Sequence, residues 1–385
     1  MLIVRDSQVK KLFYKEQEID KILDWNGNVV FEKESAPVMT NTIKFHTTLD
    51  VTSGEMLKVR FTDSTIAVTN YSEKDTWYTM EIPTDKTVRS IECDSIYIDE
   101  LDISCKVSLS ANFISLRMPK IVKFISCDAT SNTSFSNAFT YVAKKSLEVR
   151  NLDARNATNL DSLCYNASSL ESIVLRDLNV SKATSMQSMF RYCSGATTID
   201  VTNWDTSSAT AINNAFANCK NLTSLDLSSW NISNVTDMNR LCYGDDKLMQ
   251  VNLSGLNAKK VATMSNMFYG CNNLTSVNMS GFKTSEVYDI QYLFGNCYNL
   301  NSLDLSSFIT TNLYDLRYTF YYCSSLTDLD ISGWDLSNDT RMDNIFKSCK
   351  ALKTIYMRGC NQTTIDKIKS ALTWDDIKNV TIITE

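Results

Sequence analysis

Met264-Ser265-Asn266-Met267-Phe268-Tyr269-Gly270-Cys271-Asn272-Asn273-Leu274-Thr275-Ser276-Val277-Asn278-Met279-Ser280 decides the fold. Its Cys271 is one of six cysteines, Cys193, Cys219, Cys271, Cys297, Cys323 and Cys349, that sit on a grid of 26 residues. Three residues earlier the same copies carry Phe190, Phe216, Phe268, Phe294, Phe320 and Phe346. The two gaps in the cysteine column are filled in register by Ala167 and Asp245, and there Cys164 and Cys242 take the phenylalanine places. The period therefore survives eight copies without an insertion or deletion. A fixed period of this length means a solenoid, in which each unit buries its apolar face only against its neighbours. Such a chain is expected to bind rather than catalyse.

One copy can be read outward from Cys271. Leu274, Val277, Met279 and Phe282 point inward, and Val277 and Met279 alternate with Ser276, Asn278 and Ser280, which predicts a short parallel strand. Ile290, Leu293, Phe294 and Cys297 then recur at i, i+3, i+4 and i+7, one face of a helix, with Thr284 and Ser285 where an N-cap belongs. Each coil is expected to be strand, turn, short helix and return.

The flanks differ. Residues 1–36 hold an echo, Val9-Lys10-Lys11-Leu12-Phe13 and Ile19-Asp20-Lys21-Ile22-Leu23. Asn26-Gly27 before Val29-Val30-Phe31 is a hairpin signal. This β-unit is too short to hold a core alone and is expected to attach the chain to other proteins. Pro37 marks a boundary. Over 37–88 apolar residues alternate (Ile43, Phe45, Thr47; Leu57, Val59, Phe61; Tyr78, Met80, Ile82), which predicts an antiparallel β-domain. Residues 89–385 are the solenoid, with degenerate first coils, including short strands at Ile96-Tyr97-Ile98 and Leu116-Arg117-Met118. A C-terminal cap covers about 361–385, in which Thr363-Thr364 start a helix before a last strand at Val380, Ile382 and Ile383.

Composition narrows the function. A net charge of −6 speaks against a phosphate-backbone binder, and no stretch reaches the length of a transmembrane helix. The N-terminus, Met1-Leu2-Ile3-Val4-Arg5-Asp6, lacks a basic region followed by an apolar one, so no secretory signal is expected. The 12 cysteines show no local pairing of the zinc type. With helices on one side, neighbouring coils would stand about 10 Å apart, too far for a disulfide, so the column cysteines are expected to be buried free thiols. Cys93, Cys105, Cys127 and Cys360 fall outside that column. The one histidine, His46, lies in an alternating β-run and reads as structural. A single histidine leaves no Ser-His-Asp or Cys-His arrangement within the solenoid. No enzyme, metal or cofactor is expected.

The repeat, Met-x-x-Met-Phe-x-x-Cys-x-x-Leu-x-x-Leu/Val-Asp/Asn-Leu/Met-Ser, resembles the 26-residue repeat of bacterial surface proteins, the BspA-like branch of the leucine-rich repeats. Met264–Cys271 and Leu222-Thr223-Ser224-Leu225-Asp226-Leu227-Ser228 carry it. The resemblance implies an α/β leucine-rich-repeat solenoid, with a parallel sheet on one face and short helices on the other, behind the small antiparallel β-domain. It also implies adhesion or ligand recognition at a cell surface. The doubled motif of residues 1–36, ending in Asn28-Val29-Val30-Phe31-Glu32, is similar to N-terminal motifs of phage tail and fibre proteins. Together the two resemblances imply a virion protein, a tail, fibre or decoration component made in the bacterial cytoplasm, that recognises a host glycan or protein. The alternatives are a bacterial cell-surface adhesin and a purely architectural virion component. Neither nucleic acid nor membrane insertion is expected.

Two sets of residues are candidate sites. Asp200, Asp226, Asn252, Asn278, Asp304 and Asp330 form an outward ladder on the strand face, taken as the concave one. Such a ladder could present acceptors to a ligand, or could be solvated strand chemistry. Asp200–Asp226 and Asp304–Asp330 read as like-charge neighbours about 4.8 Å apart. Tyr288, Tyr292, Tyr314, Tyr318, Tyr321 and Tyr322, with Tyr298 in the same 35-residue window, cluster in sequence, the columns of Tyr288 and Tyr292 lying off the buried face, and read as an interface or as ordinary exposed tyrosines. Trp204, Trp230, Phe282, Phe308 and Trp334 form a further column that reads as core.

Overall fold

The computed structural model describes residues 41–47, 56–70, 77–93, 98–109, 114–115, 121–140, 145–375 and 377–385, with strand segments at 13–14, 17–18, 21–23 and 29–32. The chain divides into two compact units, Met1–Val38 and Met39–Glu385. In the first, β1 (Phe13–Tyr14) pairs antiparallel with β2 (Gln17–Glu18). Likewise β3 (Lys21–Leu23) pairs with β4 (Val29–Glu32), Ile22 opposite Phe31. The Asn26-Gly27 turn expected between β3 and β4 lies outside the described residues, as do Val9–Leu12, Ile96-Tyr97 and Leu116–Met118.

The second unit is a parallel β-solenoid of about ten turns. It opens with β5 (Thr42–Thr47), β6 (Met56–Phe61), β7 (Ile66–Asn70), β8 (Trp77–Glu81), β9 (Val88–Cys93), β10 (Ile98–Ser104), β11 (Ile114–Ser115) and β12 (Ile121–Ile125). The alternation read over 37–88 does form antiparallel strands: β5 with β8, and β6 with β7. These strands share sheets with the first coils. β5 pairs antiparallel with β10, which pairs parallel with β12, and β6 pairs with β9, which carries β11. An edge that coils would otherwise leave open is thereby covered.

One strand per coil follows: β13 (Ser146–Arg150), β14 (Ser172–Arg176), β15 (Thr198–Asp200), β16 (Ser224–Asp226), β17 (Gln250–Asn252), β18 (Ser276–Asn278), β19 (Ser302–Asp304), β20 (Asp328–Asp330) and β21 (Thr354–Tyr356). Pairing is in register, as in Leu303↔Leu329↔Ile355. No strand pairing joins β15 to β16 or β18 to β19, so the face is three successive ladders.

The expected helices are absent from the coils; they are replaced by stacked turns. The amides of Ile290, Tyr292, Phe294 and Asn296 donate to Asp315, Arg317, Thr319 and Tyr321 of the next coil, at 2.7–3.0 Å. The alternate amides, of Leu293, Gly295 and Cys297, donate three residues back to Ile290, Tyr292 and Phe294. Half the bonds are therefore turn-like and half sheet-like. On the turn side of each coil two residues, four apart, adopt positive φ, among them Asn214 and Asn218, Asn266 and Gly270, Tyr292 and Asn296. A right-handed helix cannot run through such residues. Yet Ile290, Leu293, Phe294 and Cys297 are all buried, so the i, i+3, i+4, i+7 pattern reported the buried face correctly and the backbone wrongly. Thr284 caps no helix. Its hydroxyl donates to the Ile309 carbonyl at 3.0 Å and accepts from the Ile309 amide at 2.9 Å, clamping the next coil; Thr206 and Thr310 do the same.

Direct amide bonds set the coil spacing on the turn side too, and ring centroids follow it: Phe190–Phe216 5.3 Å, Phe268–Phe294 5.4 Å, Phe320–Phe346 5.7 Å. The coils are not a helix diameter apart, so the distance argument against disulfides does not hold. Free thiols follow from another cause. In an in-register stack the Cβ atoms are separated by the coil step, about 4.8 Å, more than the ~3.8 Å a disulfide favours. Each thiol instead bonds a carbonyl 29 residues back: Cys219 to Phe190, Cys271 to Cys242, Cys297 to Phe268, Cys323 to Phe294.

Cys360 makes the same bond to Ile331, at 3.3 Å. It stands 26 residues after Trp334 and so occupies the aromatic column. That column, Trp204, Trp230, Phe282, Phe308 and Trp334, is buried. The cap is α1 (Gln362–Trp374), followed by β22 (Thr381–Ile383) parallel to β21. Its N-cap is Asn361, whose side chain accepts from the Thr364 amide at 2.8 Å, rather than the Thr363-Thr364 pair itself.

Candidate functional site: two faces of the solenoid

On the strand face, ladder side chains are engaged in their own chain. Asp226 Oδ1 accepts from the Ser228 amide at 2.9 Å and its hydroxyl at 2.7 Å. Asn252, Asn278, Asp304 and Asp330 accept from the amide two residues on, at 2.9–3.2 Å. Each thus holds the turn that ends its strand, the local bond that makes Asp and Asn turn residues. Asp304 and Asp330 are register partners, as the sequence implied. Asp200 and Asp226 are not, because the break between β15 and β16 separates them, and Asp200 is instead ion-paired with Arg176 at 2.5 Å. A shallow hollow of about 600 Å³ lies over β16–β18, lined by Asp226, Asn252 and Asn278.

On the turn face the tyrosines form a continuous network. Tyr292 and Tyr318 stack at 4.5 Å, 3° from parallel. Tyr321 meets both edge-on, at 6.2 and 5.5 Å, and Tyr322 packs against Tyr321 at 4.5 Å. Tyr269 meets Tyr292 edge-on at 5.5 Å and stacks on Tyr243 at 5.3 Å. Tyr298 joins through Tyr322 at 6.4 Å. Four of the six predicted tyrosines are brought together. Tyr288 and Tyr314 are exposed and, among the described residues, make no ring contact with the rest. Sequence reading missed Tyr243 and Tyr269 as members, whereas Tyr298 lies in the dense window it singled out. Tyr243 and Tyr269 are 26 apart, a signal that was present but fell outside the dense window.

The network also carries backbone strain. Tyr292, Tyr318 and Tyr322 have φ of 55°, 59° and 59°, at positions where other coils place Asn, Ser or Gly and, once each, Arg240 and Tyr192. A bulky side chain there costs about 1–2 kcal/mol, and such costs gather at functional sites. Gly295 makes room for the rings: a Cβ there would fall 2.8 Å from Tyr269 and 3.1 Å from Tyr292.

A groove of about 320 Å³ adjoins the network, with Tyr243, Tyr269 and Tyr298 in its lining. Asp245, between the groove residues Gly244 and Asp246 in sequence, is fully buried in the cysteine column. Its Oδ1 accepts from the Cys219 amide at 2.7 Å, whereas Oδ2 has no hydrogen-bond partner among the described residues. Burial holds this carboxyl well above the usual carboxylate range. Burial likewise raises the thiols of Cys219, Cys271, Cys297, Cys323 and Cys349, the last to about 12, so they are apolar filling rather than nucleophiles. Among the described residues no cluster of His, Cys, Asp and Glu could hold a metal, and no helix is long and apolar enough to cross a membrane.

No curated protein matches this chain. Among solved structures it is similar to a chain in "Structure of the Toll - Spatzle complex, a molecular hub in Drosophila development and innate immunity". The identity is 13% and the TM-score 0.18, covering 82% of this chain and 57% of that one, so this chain spans little more than half that relative's length. The family model described as "Mycoplasma protein of unknown function, DUF285" matches residues 133–256 and 242–358. Those are the coils that carry the Met-x-x-Met-Phe-x-x-Cys repeat, in keeping with a BspA-like repeat protein. The matched coils make up more than half of the molecule, and the chain belongs to the DUF285 family.

Proposed function

We propose that the chain is a non-enzymatic recognition protein whose solenoid presents its turn face to a glycan or protein on a cell surface. The observation that carries this reading is the tyrosine network. It is contiguous over several coils, part-exposed, and kept despite unfavourable backbone conformations at Tyr292, Tyr318 and Tyr322. Aromatic rings that reach solvent at one edge are what interfaces favour. The test uses labelled full-length protein on a panel of intact bacterial and animal cells. Binding to one cell type, lost in Tyr318→Ser/Tyr321→Ser with an unchanged unfolding midpoint, is the expected result. Binding that the double change leaves intact would move the site to the strand face, where the hollow over Asp226, Asn252 and Asn278 favours a second reading.

In this proposal the N-terminal unit attaches the solenoid to an assembly, either a virion or a bacterial surface. Its short hairpins are the kind of strands that gain stability by joining another sheet. The virion setting rests on the motif of residues 1–36. Deleting 1–36 and following incorporation into particles tests it, and normal incorporation would remove that support.

A further inference from the structure

The groove exists because two successive coils leave out a side chain. The second positive-φ position of each coil reads Asn166, Tyr192, Asn218, Gly244, Gly270, Asn296, Tyr322 and Ser348. Gly244 and Gly270 therefore form a floor of bare backbone, closed by Asn218 at one end and Asn296 at the other. Three coil steps separate those asparagines, about 14 Å. The stacked pair Tyr243–Tyr269 stands along it, and Asn272, Asp246 and Lys220 complete the lining. The one acid and one base balance, so the lining has no net charge to select an ion. Asn272 donates from its amide nitrogen to Asp246 Oδ1, which fixes that carboxylate as a neighbour-held acceptor.

We infer that this groove is a subsite for a short neutral oligosaccharide, an inference that rests on the recognition reading above. The chemistry fits on three counts. Tyrosine faces take the C–H face of a pyranose ring, an apolar surface with polar edges. Side-chain amides both donate and accept, as a hydroxyl pair does. Ring faces and polar side chains share the lining about equally, which matches a ligand with apolar C–H faces and polar edges. Tyr269 of the lining also meets Tyr292 edge-on, so a longer chain would continue onto the network.

The clean variant is Gly270→Asn. Asparagine tolerates the φ of 75° at this position. An added Cβ would meet nothing closer than the Gly244 Cα at 3.6 Å. The change restores what Asn218 and Asn296 do in their own coils and fills the groove. Full-length protein is screened on an array of neutral and acidic oligosaccharides, and the best neutral binder is measured by calorimetry. The expected result is binding unaffected by added salt, weakened at least tenfold by Gly270→Asn and by Tyr243→Leu, and unchanged in Lys369→Ala on α1. Two variants guard against misfolding of either. No neutral binder on the array, binding confined to acidic sugars, or affinity that survives both variants overturns the inference. Protein that still binds intact cells after their glycans are enzymatically removed would leave the recognition reading standing and the groove inference refuted. Failure to bind either cells or sugars would refute both.

Discussion

The strand face and the turn face keep the same register and treat it in opposite ways. On the strand face the same job recurs coil after coil. Asp226, Asn252, Asn278, Asp304 and Asp330 all hold the turn that follows, and the polar ladder is thereby part of the scaffold. On the turn face two neighbouring columns change along the stack: the second positive-φ column opens a groove at Gly244 and Gly270, and the first builds a stacked ridge at Tyr292 and Tyr318. A repeat that serves only packing has no reason to vary so in these columns. The difference teaches that specificity in this molecule is to be sought where the repeat departs from itself.

The comparison can be broken in four places. Phe294 lies fully buried between Phe268 and Phe320 at 5.4 and 6.2 Å. Phe294→Ala is expected to destabilise by about 3–5 kcal/mol in chemical unfolding. A loss below about 1 kcal/mol would mean that the interior of the turn side contributes little to stability.

Asp245 gives the next largest effect. Its pKa is raised in the folded state, with Cys219, Cys242, Cys271 and Asp246 as its titratable neighbours. The unfolded chain therefore loses this proton first as pH rises. Stability is full below the ordinary carboxylate pKa near 4, falls as pH climbs through the interval up to the folded value, and is lowest above it. Asp245→Asn keeps the acceptor for the Cys219 amide without the charge. It should raise stability at neutral pH by about 1–3 kcal/mol and flatten the profile. Unfolding midpoints of both proteins across pH 4 to 8 check this, and parallel curves would refute it.

Tyr292→Asn sharpens the contrast between packing and recognition. It gives up a stacked pair, about 0.5–1.5 kcal/mol, and relieves a bulky residue at positive φ, about 1–2 kcal/mol. Stability should change by less than about 1 kcal/mol while cell binding drops. A large stability loss would make the ridge structural. Smallest of all, Asp304→Asn with Asp330→Asn retains both turn bonds and removes a like-charge pair in register. The midpoint should stay level or rise by a few tenths of a kcal/mol. A clear fall would mean that the charge itself, rather than the Oδ1 acceptor, holds those turns.

Much of the site was within reach of the sequence and some of it was not. Tyr292, Tyr318, Tyr321 and Tyr322 were legible because they crowd one window. Tyr243 and Tyr269 were overlooked because a column is visible only when coils are aligned. The groove was hidden in the same way, since Gly244 and Gly270 look like ordinary turn glycines until set beside Asn218 and Asn296. Tyr288 and Tyr314 share the window but not the network, because proximity in sequence does not fix which side of a turn a ring leaves from.

The sequence by itself determined the period, the columns and the buried set. Burial depends on apolar side chains recurring in step, and Ile290, Leu293, Phe294 and Cys297 are buried as their spacing required. Whether that spacing became a helix was decided only in three dimensions. An isolated segment with this pattern has four carbonyls back as its nearest acceptors, and the helix is its natural reading. Within the stack, the carbonyls of the next coil lie within bonding distance of every second amide. Those lateral bonds, with Asn, Gly and Tyr taking positive φ four residues apart, replaced the helix by stacked turns and gave both faces the same step. The acceptor that wins is supplied by a neighbour 25 residues away, and no local reading of the chain contains it.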